Sequence, residues 1–238
     1  MKKFIKKKLR SFLSFIELYF RVKVENKSPV DVYYDNLSQD CYKFFEQDMK
    51  KSSIFIKVED IRKFSIHRAF NNGSKNNNLF LEFGVWKGES INLFADFLSE
   101  HSAEIHGFDS FEGLVEDWLT HVYNPAGSLS LNKTSPKVLK NVKLIKGKVQ
   151  ETLDNFLKDK TNKKIIFTHM DMDTYASTKY VLNKIKPFLQ KGSIILFDEF
   201  YGYPNWQHQE YKAFKEVFNE KEYKYIAFCA SEVAIEIL

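Results

Sequence analysis

The sequence has little of what staples or punctuates a chain. Cysteine occurs twice in 238 residues, as Cys41 and Cys229. Two distant cysteines supply neither a disulfide framework nor a thiolate metal cluster. A reducing compartment is the expected setting, and the cytoplasm the expected location. With nine glycines and five prolines, few extended loops are expected. No internal repeat or low-complexity segment stands out. Ser11 to Phe20 is an apolar run of only ten residues; it contains Glu17 and is followed by Arg21 and Lys23. It is too short to span a bilayer, and it lacks the small-residue cleavage site of a signal peptide.

Aromatic residues are abundant. There are 23 phenylalanines, and hydrophobic residues make up 44% against 28% charged. That balance is globular, and the length suits one domain. The core and any pocket should be rich in rings. The net charge of +5 is unevenly spread: residues 1–24 hold eight basic residues and one acid, so the remainder is slightly acidic. Basic charge confined to a tail argues against nucleic acid, which needs a basic face on the folded domain. Read as a helix, Ile5, Leu9, Phe12, Leu13, Ile16 and Phe20 share one face. Two placements are open to this segment. It packs on its own domain or on a second subunit, which makes a homodimer, or it lies on an anionic membrane surface, such as the inner membrane face.

The loop Asn71 to Asn78 separates a helical N-terminal third from a regular remainder. A single domain is expected over 1–238, with a helical extension and cap over 1–72 and an α/β core over 78–238. Strands are predicted at Leu79–Phe83, Glu104–Phe108, Lys143–Ile145, Lys164–Thr168 and Ser193–Phe197. Helices are predicted at Glu89–Leu98, around Thr152–Lys158 and Ala176–Leu189, and at Gln209–Phe218. Tyr225–Phe228 and Val233–Ile237 lie too close together for a crossover helix and should form an antiparallel hairpin. The fold expected is α/β: a doubly wound, seven-stranded, mostly parallel sheet with that hairpin at one edge. Ligands of such sheets bind beyond the carboxyl ends of the strands. The unusual residues cluster there.

Leu81 to Ser90 ends a strand in Gly84 and starts a helix near Ser90. Its Gly-x-x-x-Gly spacing is not the Gly-x-Gly-x-x-Gly of dinucleotide binders, so a nicotinamide cofactor is disfavoured. Glycine lets backbone approach a ligand, and a helix N-terminus offers N–H groups to a carboxylate. Glu82, two residues before Gly84, can receive an ammonium group. Asp109, in Gly107-Phe108-Asp109-Ser110-Phe111-Glu112-Gly113-Leu114, ends the second strand, where a ribose diol is gripped in such folds. Asp171 and Asp173 follow the fourth strand, and Asp198 and Glu199 follow the fifth. Asp171, Asp198 and Glu199 converging with no Lys or Arg between them would repel, and a hard cation such as Mg²⁺, Mn²⁺ or Ca²⁺ resolves that. The alternative is that these acids cap helices or pair with lysines.

Phe108 to Leu114, His169-x-Asp171-x-Asp173-x-Tyr175-x-Ser177-Thr178 and Phe197-Asp198-Glu199 together resemble the macrocin O-methyltransferase-like family of class I S-adenosylmethionine (SAM)-dependent methyltransferases. The layout is more distantly similar to catechol O-methyltransferase. The resemblance covers roughly Leu79 to Phe218. It implies methylation of a hydroxyl on a sugar, glycan or secondary metabolite, with SAM and often Mg²⁺. It implies that Gly84, Gly88 and Ser90 line the methionine part of SAM, with Glu82 nearby. Asp109 would hold the ribose, and Gln150 would lie on the adenine side. Asp171, Asp198 and Glu199 would bind metal, and Asp173 would act as general base beside Asp171. The family has two consecutive aspartates where this chain has Asp198-Glu199.

In methyl transfer the acceptor oxygen must come to about 3 Å and lose its proton. Tyr203, Trp206 and His208 stand where they could meet the acceptor, while ordinary packing or a surface histidine is the plainer reading of them. The segment from Asp40 to Phe70 should form helices that cover the cofactor. Two other classes compete: a non-catalytic SAM-fold scaffold at a membrane, and a metal-dependent hydrolase. The acid cluster argues against the first and the Glu82–Ser90 loop against the second.

Overall fold

The computed structural model describes residues 12, 13, 16, 27–73 and 77–238. Most of the basic segment 1–24 lies outside these residues; Phe12, Leu13 and Ile16 are helical. No helix among the described residues is long and apolar enough to cross a membrane. The chain divides into two compact units, Met1–Phe44 and Phe45–Leu238. In the first, Ser28 and Asp31 cap the start of helix α1 (Pro29–Met49) reciprocally, with Pro29 at its first position.

The second unit opens with a short strand, β1 (Ser53–Ile54), and helix α2 (Val58–Asn72). The unit boundary therefore falls well before residue 72, because Ile61, Ile66 and Ala69 of α2 are fully buried in the core of the sheet domain. Then strands and helices alternate: β2 (Asn78–Phe83), α3 (Glu89–Ser99), β3 (Ile105–Asp109), a small hairpin of β4 (Trp118–Leu119) and β5 (Tyr123–Asn124), β6 (Val142–Lys146), α4 (Val149–Lys158), β7 (Lys164–Met170), α5 (Tyr175–Ile185), β8 (Leu189–Phe197), α6 (Glu210–Val217), β9 (Tyr223–Cys229) and β10 (Glu232–Ile237). Helix α3 forms because Ile91, Phe94, Ala95 and Leu98 recur at helical spacing and are all buried. Each of its larger apolar side chains contributes about 2 kcal/mol by leaving water.

The main sheet has eight strands in the order β1-β9-β10-β8-β7-β2-β3-β6. The antiparallel pair β9–β10 sits where expected. The strand count differs from seven because Ser53 and Ile54 pair in parallel with Ala227 and Phe228. Two exposed residues carry no alternation for a sequence pattern to reveal. From β2 the chain winds outward to β3 and β6 on one side, and to β7 and β8 on the other. The order thus reverses between β2 and β7, which opens a crevice at their carboxyl ends.

The register aligns those ends. Phe83 pairs with Phe108 and Met170, and Met170 with Phe197. Gly84, Asp109, Asp171 and Asp198 therefore leave the sheet side by side. Antiparallel β10 sets Val233 against Phe197, which puts Glu232 next to Asp198.

Candidate active site

At these strand ends lies a cavity of about 350 Å³, within the range of small-molecule sites. Its walls include Gly84, Ser90, Asp109, Gln150, Asp171, Asp173 and Asp198. Seven of the positions singled out in the sequence thus meet in one space.

Gly84 has φ +87°, and a Cβ there would lie 1.7 Å from the Asp171 carbonyl oxygen. The loops after β2 and β7 approach backbone to backbone, which only glycine permits. Gly88, with φ +83°, precedes α3, whose first turn is capped by no side chain. That uncapped N-terminus suits a ligand carboxylate. Asp109 is heavily engaged: one oxygen accepts from the Val85 and Trp86 N–H groups, both at 2.8 Å, and the other from Phe111 N–H at 2.6 Å. A carboxylate has about four acceptor positions, so one remains for a ribose hydroxyl. Glu82 is fully buried behind the wall rather than on it. Its Oε1 accepts the Ser90 hydroxyl at 2.8 Å, and its Oε2 has no hydrogen-bond partner.

Asp173 has φ +61° and is buried, a conformation that costs energy at a non-glycine residue and clusters at functional sites. Burial, with help from Asp198 and Asp109, pushes its carboxyl up to about 7. Burial and the neighbouring Asp198, Asp173 and Glu82 raise Asp171 well above the ordinary carboxylate range. Asp198 goes the other way. Burial would raise it, but His169, Glu232 and Arg62 outweigh that and hold it far below the usual range.

Arg62 and His169 had no assigned role in the sequence. The Arg62 guanidinium donates to Asp198 at 2.5 Å and to Glu232 at 2.7 Å. His169 is fully buried, with one ring nitrogen 3.6 Å from Asp198 and the other 3.6 Å from Glu82. Burial opposes charge on the ring, but Asp198 and Glu82 prevail and push it up to about 9. The premise that no Arg or Lys stands among the acids is therefore corrected: α2 delivers one. Among the described residues, the group of donors close enough for a cation is His169, Asp171 and Asp198, within 4.8 Å of one another. Glu199 does not join them. Its carboxyl, raised to about 8 by burial and by Asp198 and Asp173, is off the cavity wall.

The acceptor-side expectations shift as well. Tyr203 and Trp206 are 2% and 3% exposed. Tyr203 donates its hydroxyl to the Glu199 carbonyl, and Trp206 packs on Phe45 and Tyr211. Both are core, and His208 is exposed and does not line the cavity. Part of the cavity wall comes instead from residues 111–129. Leu114, Val115, Trp118 and Leu129 face the cavity, and Gly113 lets this segment fold back, since a Cβ there would lie 2.3 Å from the Ser128 carbonyl. Glu116 fastens the segment to α5 by accepting from Ala176 N–H at 3.2 Å.

Glu210, fully buried on α6, ties the two acid-bearing loops together. Its oxygens accept from Met172 N–H and from Glu199 N–H, each at 3.3 Å. In Glu210→Gln, one of those N–H groups faces an NH₂. The expected cost is about 1–3 kcal/mol, read as a lower thermal midpoint. An unchanged midpoint would show that Glu210 does not hold the loops.

The strand order, the crevice at the switch between β2 and β7, and the acid ending β3 define a class I SAM-dependent methyltransferase. Residues 81–200, just over half of the chain, match the family model described as Methyltransferase domain, and the chain belongs to that family. No curated protein matches the sequence. Among solved structures the chain is similar to CalS11, a calicheamicin methyltransferase, with 21% identity and a TM-score of 0.60 over 89% of this chain and 94% of that one. It is also similar to the O-methyltransferase NovP, with 18% identity and a TM-score of 0.57 over 75% of this chain and 78% of that one.

Proposed function

We propose that this enzyme transfers the methyl group of SAM to a hydroxyl of a sugar, a glycan or a related small metabolite. The observation that carries the reading is Asp173: a buried carboxyl on the cavity wall, held near neutrality, where a general base works best. In the transfer, the acceptor oxygen forms a bond to the methyl carbon as the carbon–sulfur bond breaks. The bonding pair stays on sulfur, giving neutral S-adenosylhomocysteine, and the hydroxyl proton passes to the Asp173 carboxylate. Gly84, Gly88, Ser90 and the α3 N-terminus serve the methionine portion, Asp109 the ribose and Gln150 the adenine side. Trp118 offers an aromatic face to a ring. The sugar reading is supported by the description of CalS11 as a TDP-rhamnose 3'-O-methyltransferase, at 20% identity to this chain.

The oxygen-only metal set expected from the resemblance does not fit the residues present. Asp198 is bonded to Arg62, and Glu199 lies outside the group of close donors. No step here is routed through a metal. The cytoplasm suits two cysteines that form no disulfide. A membrane surface or a second copy remains the proposed role for residues 1–24, by their charge and apolar face.

Assaying S-adenosylhomocysteine release across nucleotide sugars, free glycosides and phenols tests the reading. Turnover on a hydroxyl-bearing sugar is expected, and transfer confined to nitrogen or carbon acceptors would overturn it. Because Asp173 acts ionised, kcat/KM should climb about tenfold per pH unit below about 7 and level off above it. A profile flat from pH 5 to 8 would remove Asp173 as the base.

A further inference from the structure

Arg62 has a place in the acid centre that the transfer chemistry leaves unexplained. Its side chain is only 18% exposed, yet it reaches the cavity wall from α2. Nη2 binds Asp198 Oδ1 at 2.5 Å, and Nε binds Glu232 Oε1 at 2.7 Å. Asp198 Oδ1 is also the oxygen that faces His169 Nε2 at 3.6 Å. This is one of the carboxylates a divalent ion would need, because Asp171, Asp198 and His169 are the donors close enough together. An ion arriving there would have to share Asp198 with Arg62 or break that contact. It would then stand beside a guanidinium that cannot give up its charge, and two cations a few ångströms apart in a poorly solvated site repel strongly. The third expected oxygen ligand, Glu199, is not among the donors close enough together.

We infer that Arg62 is the resident cation of this centre: it holds Asp198 in place of a divalent metal, so the enzyme binds SAM and transfers methyl without one. Arg62 is a positioning residue in this account, acting through Asp198 on the strand-end loops. The inference rests on the methyl-transfer reading only for its second half. The exclusion of metal concerns the protein alone.

The test is a titration of the full-length protein with Mn²⁺, followed by electron paramagnetic resonance, on wild type, Arg62→Met and Arg62→Lys. Met keeps the apolar stem and removes the charge; Lys keeps a charge. Wild type is expected to show no saturable Mn²⁺ site below about 1 mM. Arg62→Met should bind Mn²⁺ at least about tenfold more tightly, with Arg62→Lys close to wild type. Wild-type turnover should survive EDTA. Micromolar Mn²⁺ binding by wild type overturns the inference, and that arm needs no variant to fold. So does a folded Arg62→Met whose Mn²⁺ affinity is unchanged, or turnover that stops in EDTA and returns with Mg²⁺. Calorimetry with SAM separates the two readings. Absence of SAM binding defeats the methyl-transfer reading and leaves the Mn²⁺ result standing, whereas SAM binding with tight wild-type Mn²⁺ binding defeats the Arg62 inference alone.

Discussion

Asp173→Asn is expected to lower kcat by about 10²–10⁴-fold, the usual share of a positioned general base, while SAM affinity stays near wild type. The substitution is a clean one. Asp173 has φ +61°, and asparagine tolerates that left-handed region better than most residues. It keeps the shape and loses the ability to take a proton. The residues proposed to hold SAM, Gly84, Gly88 and Asp109, belong to other loops and strand ends, so calorimetry with SAM should report an intact site. Near-wild-type turnover in this variant would mean that the acceptor proton leaves by another route. A loss of SAM binding equal to the loss of rate would mean that Asp173 serves the cofactor instead.

Gly84→Ala should be the most damaging single methyl in the domain. The new Cβ would lie 1.7 Å from the Asp171 carbonyl oxygen, at a φ of +87°. Neither partner can yield, because Gly84 N–H bonds Phe108 at 2.9 Å and Asp171 N–H bonds Phe83 at 2.8 Å. Overpacking and left-handed strain together cost about 3 kcal/mol or more. For a domain of this size that lowers the thermal midpoint by about 10 °C. SAM binding should go with it, since the displaced loop after β2 carries Gly84 and leads into the α3 N-terminus. An alanine variant with an unchanged midpoint and intact SAM binding would show that the two loops do not close against each other.

How much of this was legible in the sequence depends on what each feature rests on. The alternation of β2 to β8 was readable because buried parallel strands leave continuous apolar runs, and helices such as α3 leave a 3.6-residue period. The strand-end positions of Gly84, Asp109, Asp171, Asp173 and Asp198 followed from that alternation alone. What was missed has no periodic signature. β1 is two exposed residues long, and the β4–β5 hairpin is equally short. Tyr203 and Trp206 look alike in sequence whether they line a cavity or pack beneath it, and here Phe45 and Tyr211 cover Trp206. Arg62 was the costliest omission, because the metal expectation was built on its absence. It did leave a trace: Arg62 falls four and seven residues before Ile66 and Ala69, both buried. It is therefore a charge in register with an apolar face, and such a charge needs an acidic partner. The partners, Asp198 and Glu232, lie 136 and 170 residues away, a separation that only the folded sheet closes.

Calorimetric titration of the wild-type protein with SAM tests the central claim most directly. One site per chain is expected, with a dissociation constant on the order of micromolar, competed by S-adenosylhomocysteine and weakened when Asp109 is replaced by alanine. No heat and no competition up to millimolar SAM would contradict it.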